Sequence, residues 1–155
     1  MKVIFLDIDG VLVTRQSLIG GTKIKKGLVE DCTIMSSLVF DFKCVDILRN
    51  VIGMTGAKIV ISSSWRMCPD RVKKAMTDVG IEFIGYTPRL PLGRRGEEIK
   101  SWLIDNRQVD GFVILDDDIA DMCSMVNHVV RTSMKDGLAE EHIPKILEII
   151  NLEMN

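Results

Sequence analysis

The chain has 155 residues, 46% hydrophobic and 27% charged, with a formal net charge of −2. That is an ordinary globular composition, and the length suits one compact domain over residues 1–155. The near-neutral charge excludes a chain whose main business is broad electrostatic binding of nucleic acid, though not a local basic site.

Strand and helix signals alternate along the chain. A short apolar run at residues 2–6 ends in Asp7-Ile8-Asp9-Gly10, which reads as a buried strand. Residues 11–30 read as irregular, with Gly20-Gly21 and the lysines Lys23, Lys25 and Lys26 suggesting a flap. Helical spacing of Phe42, Val45, Leu48, Val51 and Ile52 predicts a helix over 41–54, stopped by Gly53 and Gly56. A second buried strand, 57–61, runs into Ser62-Ser63-Ser64-Trp65-Arg66. Pro69 and Asp70 open a helix to about Val79. Residues 81–84 read as a third strand, followed by a basic loop and a helix over 96–106. The fourth strand, 111–115, ends in Asp116-Asp117-Asp118. A short fifth strand at 128–131 precedes a last helix over 139–152, whose inner face is Ile143, Ile146, Leu147 and Ile150. This alternation predicts an α/β fold: a three-layer, Rossmann-like, doubly wound and mainly parallel five-stranded sheet.

The four cysteines, Cys32, Cys44, Cys68 and Cys123, are widely spaced and form neither a CxxC pair nor a zinc pattern. They read as reduced thiols of a cytoplasmic protein. The opening apolar stretch is short and ends in acids, unlike a secretory signal. No run approaches the roughly 18 apolar residues of a membrane span, so no membrane partner is expected.

Three strands end alike, in an apolar run followed by a polar cluster: DID, SSSWR and DDD. In a parallel sheet such clusters meet at one rim, where ligands bind. Buried carboxylates are costly unless a charge or a metal compensates them. Residues two apart on a strand share a side, so Asp7 and Asp9 can face one pocket. One carboxylate can attack phosphorus as a nucleophile while the other protonates the leaving oxygen and then activates water. The bland alternative for Asp7-Ile8-Asp9-Gly10 is a strand followed by an Asp-rich turn.

These clusters resemble the haloacid dehalogenase (HAD) superfamily of phosphohydrolases and phosphotransferases. Its first motif matches Asp7-Ile8-Asp9-Gly10-Val11, and its second, a Ser or Thr ending the next strand, falls among Ser62, Ser63 and Ser64. Its third is a basic residue near a helix start, with Arg94, Arg95 and Lys100 as candidates. Its fourth, an acidic pair after a later strand, matches Asp116, Asp117 and Asp121. The SSWR, RGEEI and LDDD segments are similar to the small phosphatase-like domain of Swiss Army Knife RNA-repair proteins.

The resemblance implies roles. Asp7 is nucleophile and metal ligand. Asp9 is general acid, then base, with its carbonyl toward the metal. The implied cofactor is Mg²⁺, with Asp117 preferred as a further ligand and Asp116 as the near alternative. Ser63, or else Ser62, holds a phosphate oxygen. Arg95 is preferred over Lys100 for balancing phosphate charge, since guanidinium engages phosphate bidentately. Asp118 reads equally as a turn residue. Trp65 reads as a core residue rather than a stacking platform, with Arg66 paired to an acid. The clusters Lys23, Lys25, Lys26 and Arg71, Lys73, Lys74 read as solvated faces, and His128 and His142 stand away from the rims.

Neither gap where such proteins insert a cap, about 11–56 and 65–95, holds a separate domain, which implies a capless member. An uncovered pocket admits a bulky phosphoester. The expected activity is a Mg²⁺-dependent phosphomonoesterase working through an aspartyl-phosphate. Its expected partner is a phosphorylated small molecule or nucleic-acid end; oligomeric state is left open. The rivals are a phosphotransferase and a non-catalytic binding domain of the same fold. A response-receiver module is disfavoured, because the third strand ends IEFIG without an acid.

Overall fold

Five short apolar runs hydrogen-bond into one sheet in the computed structural model, which describes residues 1–24, 39–91 and 93–152. The strands are β1 (Lys2–Leu6), β2 (Lys58–Ile61), β3 (Phe83–Tyr86), β4 (Gly111–Asp116) and β5 (Val129–Arg131). Their order is β3-β2-β1-β4-β5 and every pairing is parallel. Parallel neighbours need crossovers, and helices supply most of them. These are α1 (Arg15–Ile24), α2 (Phe42–Thr55), α3 (Pro69–Asp78), α4 (Arg95–Asp105) and α5 (Ile143–Ile150).

The side-chain period of two divides the core into two layers. Ile4, Leu6, Ile59, Ile61, Val113 and Leu115 face α2, α3 and α5, meeting Leu48, Met76 and Ile146. Val3, Phe5, Val60, Phe112 and Ile114 face the other way, against Ile99, Trp102 and Leu103 of α4. Phe5 sits edge-on to Trp102 and Phe112, with ring centroids 5.4 and 5.8 Å away. Burying each such aliphatic or aromatic side chain contributes roughly 1.5–3 kcal/mol. Helices on both faces of a parallel sheet make this a three-layer, doubly wound α/β fold.

Local chemistry sets the helix ends. Asp41 caps α2 by accepting from the Lys43 N–H at 3.1 Å, and Gly56 closes it by donating to the Ile52 carbonyl at 2.8 Å. Pro69 occupies the first position of α3, where its missing N–H is harmless.

Four expectations are corrected. Residues 15–24 are helix α1 rather than a flap, and Gly20-Gly21 lies inside it. The remainder of that expectation, Lys25 and Lys26 included, and Cys32 lie outside the described residues. The third strand is Phe83–Tyr86, two residues later than the apolar pattern suggested: the Ile81 N–H donates back to the Met76 carbonyl of α3 at 3.0 Å, and pairing with β2 begins at Phe83. Gly53 does not stop α2, which runs on to Thr55. The last helix is shorter than expected: a 3₁₀ turn, Glu140–His142, precedes α5, and Ile149 joins Ile146 and Ile150 inside while Leu147 is only half-buried.

Between β1 and β2 the described residues hold α1 and α2. Between β2 and α4 they hold a 3₁₀ turn (Ser64–Met67), α3 and β3. No separately folded cap occurs among them. No helix among the described residues is long and apolar enough to cross a membrane.

Candidate active site

Register brings the polar clusters together. Leu6 stands opposite Ile61 on one side and Leu115 on the other. The residues that follow, Ser62, Asp7 and Asp116, therefore stand abreast at the carboxyl edge. The Asp7 N–H donates to the Leu115 carbonyl at 3.0 Å, and the Ser62 N–H donates to the Leu6 carbonyl at 2.9 Å. Thr87 extends this row onto β3, donating to the Ile61 carbonyl at 3.0 Å. Leu6, Ile61 and Leu115 point to the α2 face, so alternation turns the row toward α4. The strand order reverses between β1 and β4, and the crevice of such a sheet opens there.

Arg95, the first residue of α4, enters that crevice. Its Nη1 lies 3.1 Å from Asp7 Oδ2 and also donates to Asp116 Oδ2. Asp116 is fully buried, and its Oδ1 accepts the Asp118 N–H at 2.9 Å. Burial pushes the Asp116 carboxyl up to about 6; the charge of Asp7 adds to this and Arg95 opposes it. Burial works against the charge on Arg95, but the carboxylates of Asp7 and Asp116 outweigh it and raise its pKa.

Asp117 completes the acidic group. One carboxylate oxygen from each of Asp7, Asp116 and Asp117 lies within 4.8 Å of the others. Burial, and then the neighbouring charge of Asp7, raises the Asp117 pKa. Gly10 makes this approach possible. Its φ is +73°, and a Cβ there would fall 2.4 Å from Asp117 Cγ. Three ionised carboxylates against one guanidinium leave two negative charges uncompensated. An all-oxygen donor set with that deficit fits a hard divalent cation such as Mg²⁺. The Asp9 carboxylate lies outside this triad. Its Oδ2 accepts the indole N–H of Trp65 at 3.0 Å. Burial raises its pKa, the Trp65 hydrogen bond lowers it, and the charges of Asp7 and Asp117 raise it further.

Residues 3–143 match the family described as the HAD domain in Swiss Army Knife RNA repair proteins. The chain belongs to this HAD family. No curated protein and no solved structure matches it.

Within the HAD site, the alternatives left open by the motifs separate by position. Ser62 and Ser63 are both fully buried. Ser63 Oγ accepts the Trp65 N–H at 3.3 Å and starts the 3₁₀ turn, whereas Ser62 Oγ has no hydrogen-bond partner among the described residues. Arg95 reaches the acids. Lys100, a turn and a half further along α4, is exposed and lines a different cavity with Leu103 and His128. Arg94 is exposed at the N-cap. Asp118 is exposed and closes a turn by accepting the Ala120 N–H at 2.8 Å. Asp121 is exposed, and its backbone carbonyl accepts the Gly96 N–H at 3.0 Å.

Three features of the HAD site were missed in the sequence. Trp65 is a core residue, as expected, with its ring 5.8 Å from Phe40, but it also tethers Asp9. Arg66 does pair with an acid, and the partner is Glu98, buried in α4. Arg66 Nη1 also donates to the carbonyls of Ser62 and Ser63 at 3.0 and 2.9 Å, and Glu98 Oε1 accepts the Leu90 N–H at 3.1 Å. Thr87 carries a second buried hydroxyl without a partner among the described residues, one strand over from that of Ser62. Thr87 follows the third strand only when that strand is placed at Phe83–Tyr86, two residues later than its apolar pattern suggests; nothing local in the sequence pairs Arg66 with Glu98.

A cavity of about 720 Å³ lies along β3 and α3 and contains none of these acids. Convergence of charge, rather than volume, marks the site.

Proposed function

We propose that this chain is a Mg²⁺-dependent phosphomonoesterase that works through an aspartyl-phosphate on Asp7, with a nucleic-acid terminal phosphate as substrate. The observation that carries the reading is Arg95 spanning Asp7 and Asp116 with Asp117 beside them. The family description, an HAD domain of RNA-repair proteins, supports the substrate class.

In the first step an Asp7 oxygen attacks phosphorus and the bond to the leaving oxygen breaks. Asp9 gives that oxygen its proton. In the second step Asp9 takes a proton from water, whose oxygen attacks the same phosphorus. Phosphate leaves and the Asp7 carboxylate is restored. Asp7, Asp116 and Asp117, with the Asp9 backbone carbonyl, would hold the metal. Bound there, Mg²⁺ offsets the repulsion between carboxylates and an incoming phosphate dianion. Arg95 neutralises charge on the transferring group through its guanidinium. The unpartnered Ser62 hydroxyl, abreast of Asp7, donates to a non-bridging phosphate oxygen, and Ser63 keeps its capping role.

The test is phosphate release from terminally phosphorylated oligonucleotides and a generic aryl phosphate, wild type beside Asp7→Asn. Activity that disappears in Asp7→Asn and on chelation supports the reading. Turnover that survives either change overturns it.

A further inference from the structure

Beside Arg95 lies a cavity of about 340 Å³ that Asp7, Asp9, Asp116 and Asp117 do not line. Its walls come from three places: the 3₁₀ turn with Arg66 and Met67, the loop after β3 with Arg89 and Leu90, and the start of α4 with Arg95 and Glu98. These walls are tied together. The Arg66–Glu98 pair is nine-tenths or more buried on both sides. Arg66 holds the end of β2 through two carbonyls, and Glu98 holds the loop through the Leu90 N–H. The cavity is thus built, not an incidental gap between mobile side chains.

Its charge balance is specific. Glu98 is matched by Arg66, and Arg95 is matched by Asp7 and Asp116. Arg89 is exposed and makes no ion pair among the described residues. The cavity therefore offers unspent positive charge beside the apolar surfaces of Met67 and Leu90. Its volume is at the low end for small-ligand sites.

We infer that this cavity is a subsite for the nucleotide next to the reacting phosphate, with Arg89 contacting the phosphodiester that joins it to the strand. This rests on the phosphatase reading above and adds a recognition element to it. Arg95 belongs to both spaces, so a substrate phosphate at Asp7 has its neighbouring group at the cavity mouth. A free cation suits a phosphodiester, and an apolar wall suits a base or sugar face. A phosphopeptide of ordinary sequence offers no second anion there.

The experiment compares kcat/KM for four substrates: an aryl phosphate, a nucleoside monophosphate, a terminally phosphorylated dinucleotide and a phosphopeptide. Wild type is run beside Arg89→Ala and Arg89→Lys; Arg89 is exposed, so neither change disturbs the core. The dinucleotide is expected to exceed the monophosphate by roughly tenfold, the scale of one charge-assisted hydrogen bond, chiefly through KM. Arg89→Ala removes that advantage and leaves aryl phosphate turnover unchanged, while Arg89→Lys keeps part of it. For binding of a short phosphorylated strand, the log–log salt slope falls by about 0.7 in Arg89→Ala.

An absent dinucleotide advantage, an advantage that survives Arg89→Ala, or a phosphopeptide equally sensitive to Arg89→Ala overturns the subsite. If no substrate shows Asp7-dependent release, it is the phosphatase reading that fails. The subsite is then judged by fluorescence anisotropy of the labelled strand, where equal affinity of wild type and Arg89→Ala overturns it.

Discussion

The indole N–H of Trp65 holds Asp9 Oδ2 at 3.0 Å, and Trp65 itself is fixed in the core, only 4% exposed, against Phe40. One oxygen of the Asp9 carboxylate is therefore committed as an acceptor. A proton on Asp9 resides on the other oxygen, Oδ1, which sets the direction in which it can be delivered. In the proposed reaction Trp65 is thus a positioning residue.

Replacing Trp65 by Phe keeps most of the apolar bulk and removes the donor. The expected result is a roughly tenfold fall in kcat, the scale of one net hydrogen bond. The donor favours the ionised carboxylate, so its loss raises the Asp9 pKa further. In the proposed reaction Asp9 must be protonated to act as general acid, so the basic limb of the pH–rate profile is expected to move to higher pH. An unchanged limb would reduce Trp65 to packing alone.

Gly10→Ala meets two obstacles, a left-handed backbone and the Asp117 carboxyl group where its Cβ must go. The strained backbone alone costs about 1–3 kcal/mol. Chemical denaturation should show a loss at least that large, and Mg²⁺ affinity by calorimetry should fall with it, because Asp117 is displaced.

Glu98→Gln leaves Arg66 buried and uncompensated. Removing one partner of such a pair destabilises by roughly 3–5 kcal/mol, whereas apolar replacement of both is far milder. The double variant Arg66→Met with Glu98→Met should therefore recover much of the stability lost in Glu98→Gln, as read in urea midpoints.

The metal-free protein should lose stability as pH rises from about 4 to 6. Asp116 titrates near 6 when folded, because of burial and then Asp7, and near 3.9 when unfolded. The folded state binds its proton more tightly, so stability is fullest below the unfolded value and is lost as pH passes the folded one. The raised pKa values of Asp9 and Asp117 act in the same direction. The Asp116 contribution is about 2–3 kcal/mol. Melting curves at pH 4.5 and 7.5 check this. Asp116→Asn should flatten the slope, and Mg²⁺ should restore stability at pH 7.5.

The strands that carry the acids were legible because each is a short apolar run ending abruptly in polar residues, a strictly local signal. The convergence of β1, β2 and β4 followed from parallel topology. That Ser62, not Ser63, stands abreast of Asp7 required the register, since only the pairing of Leu6 with Ile61 places it there. Glu98 was hidden for another reason. Within RGEEI nothing local separates it from its exposed neighbour Glu97, and only its packing under the loop at Leu90 removes it from water. The helix through Gly20-Gly21 was misread because glycine pairs signal turns.

Arg95 is already engaged by Asp7 and Asp116. In the proposed reaction an anion arriving at the crevice would compete with the chain's own carboxylates for the same guanidinium. The fold thus carries an internal competitor at its binding centre. Such a competitor would weaken the hold on simple inorganic anions while leaving room for ligands that bring additional contacts, so discrimination would fall to the surfaces around the centre rather than to the centre itself.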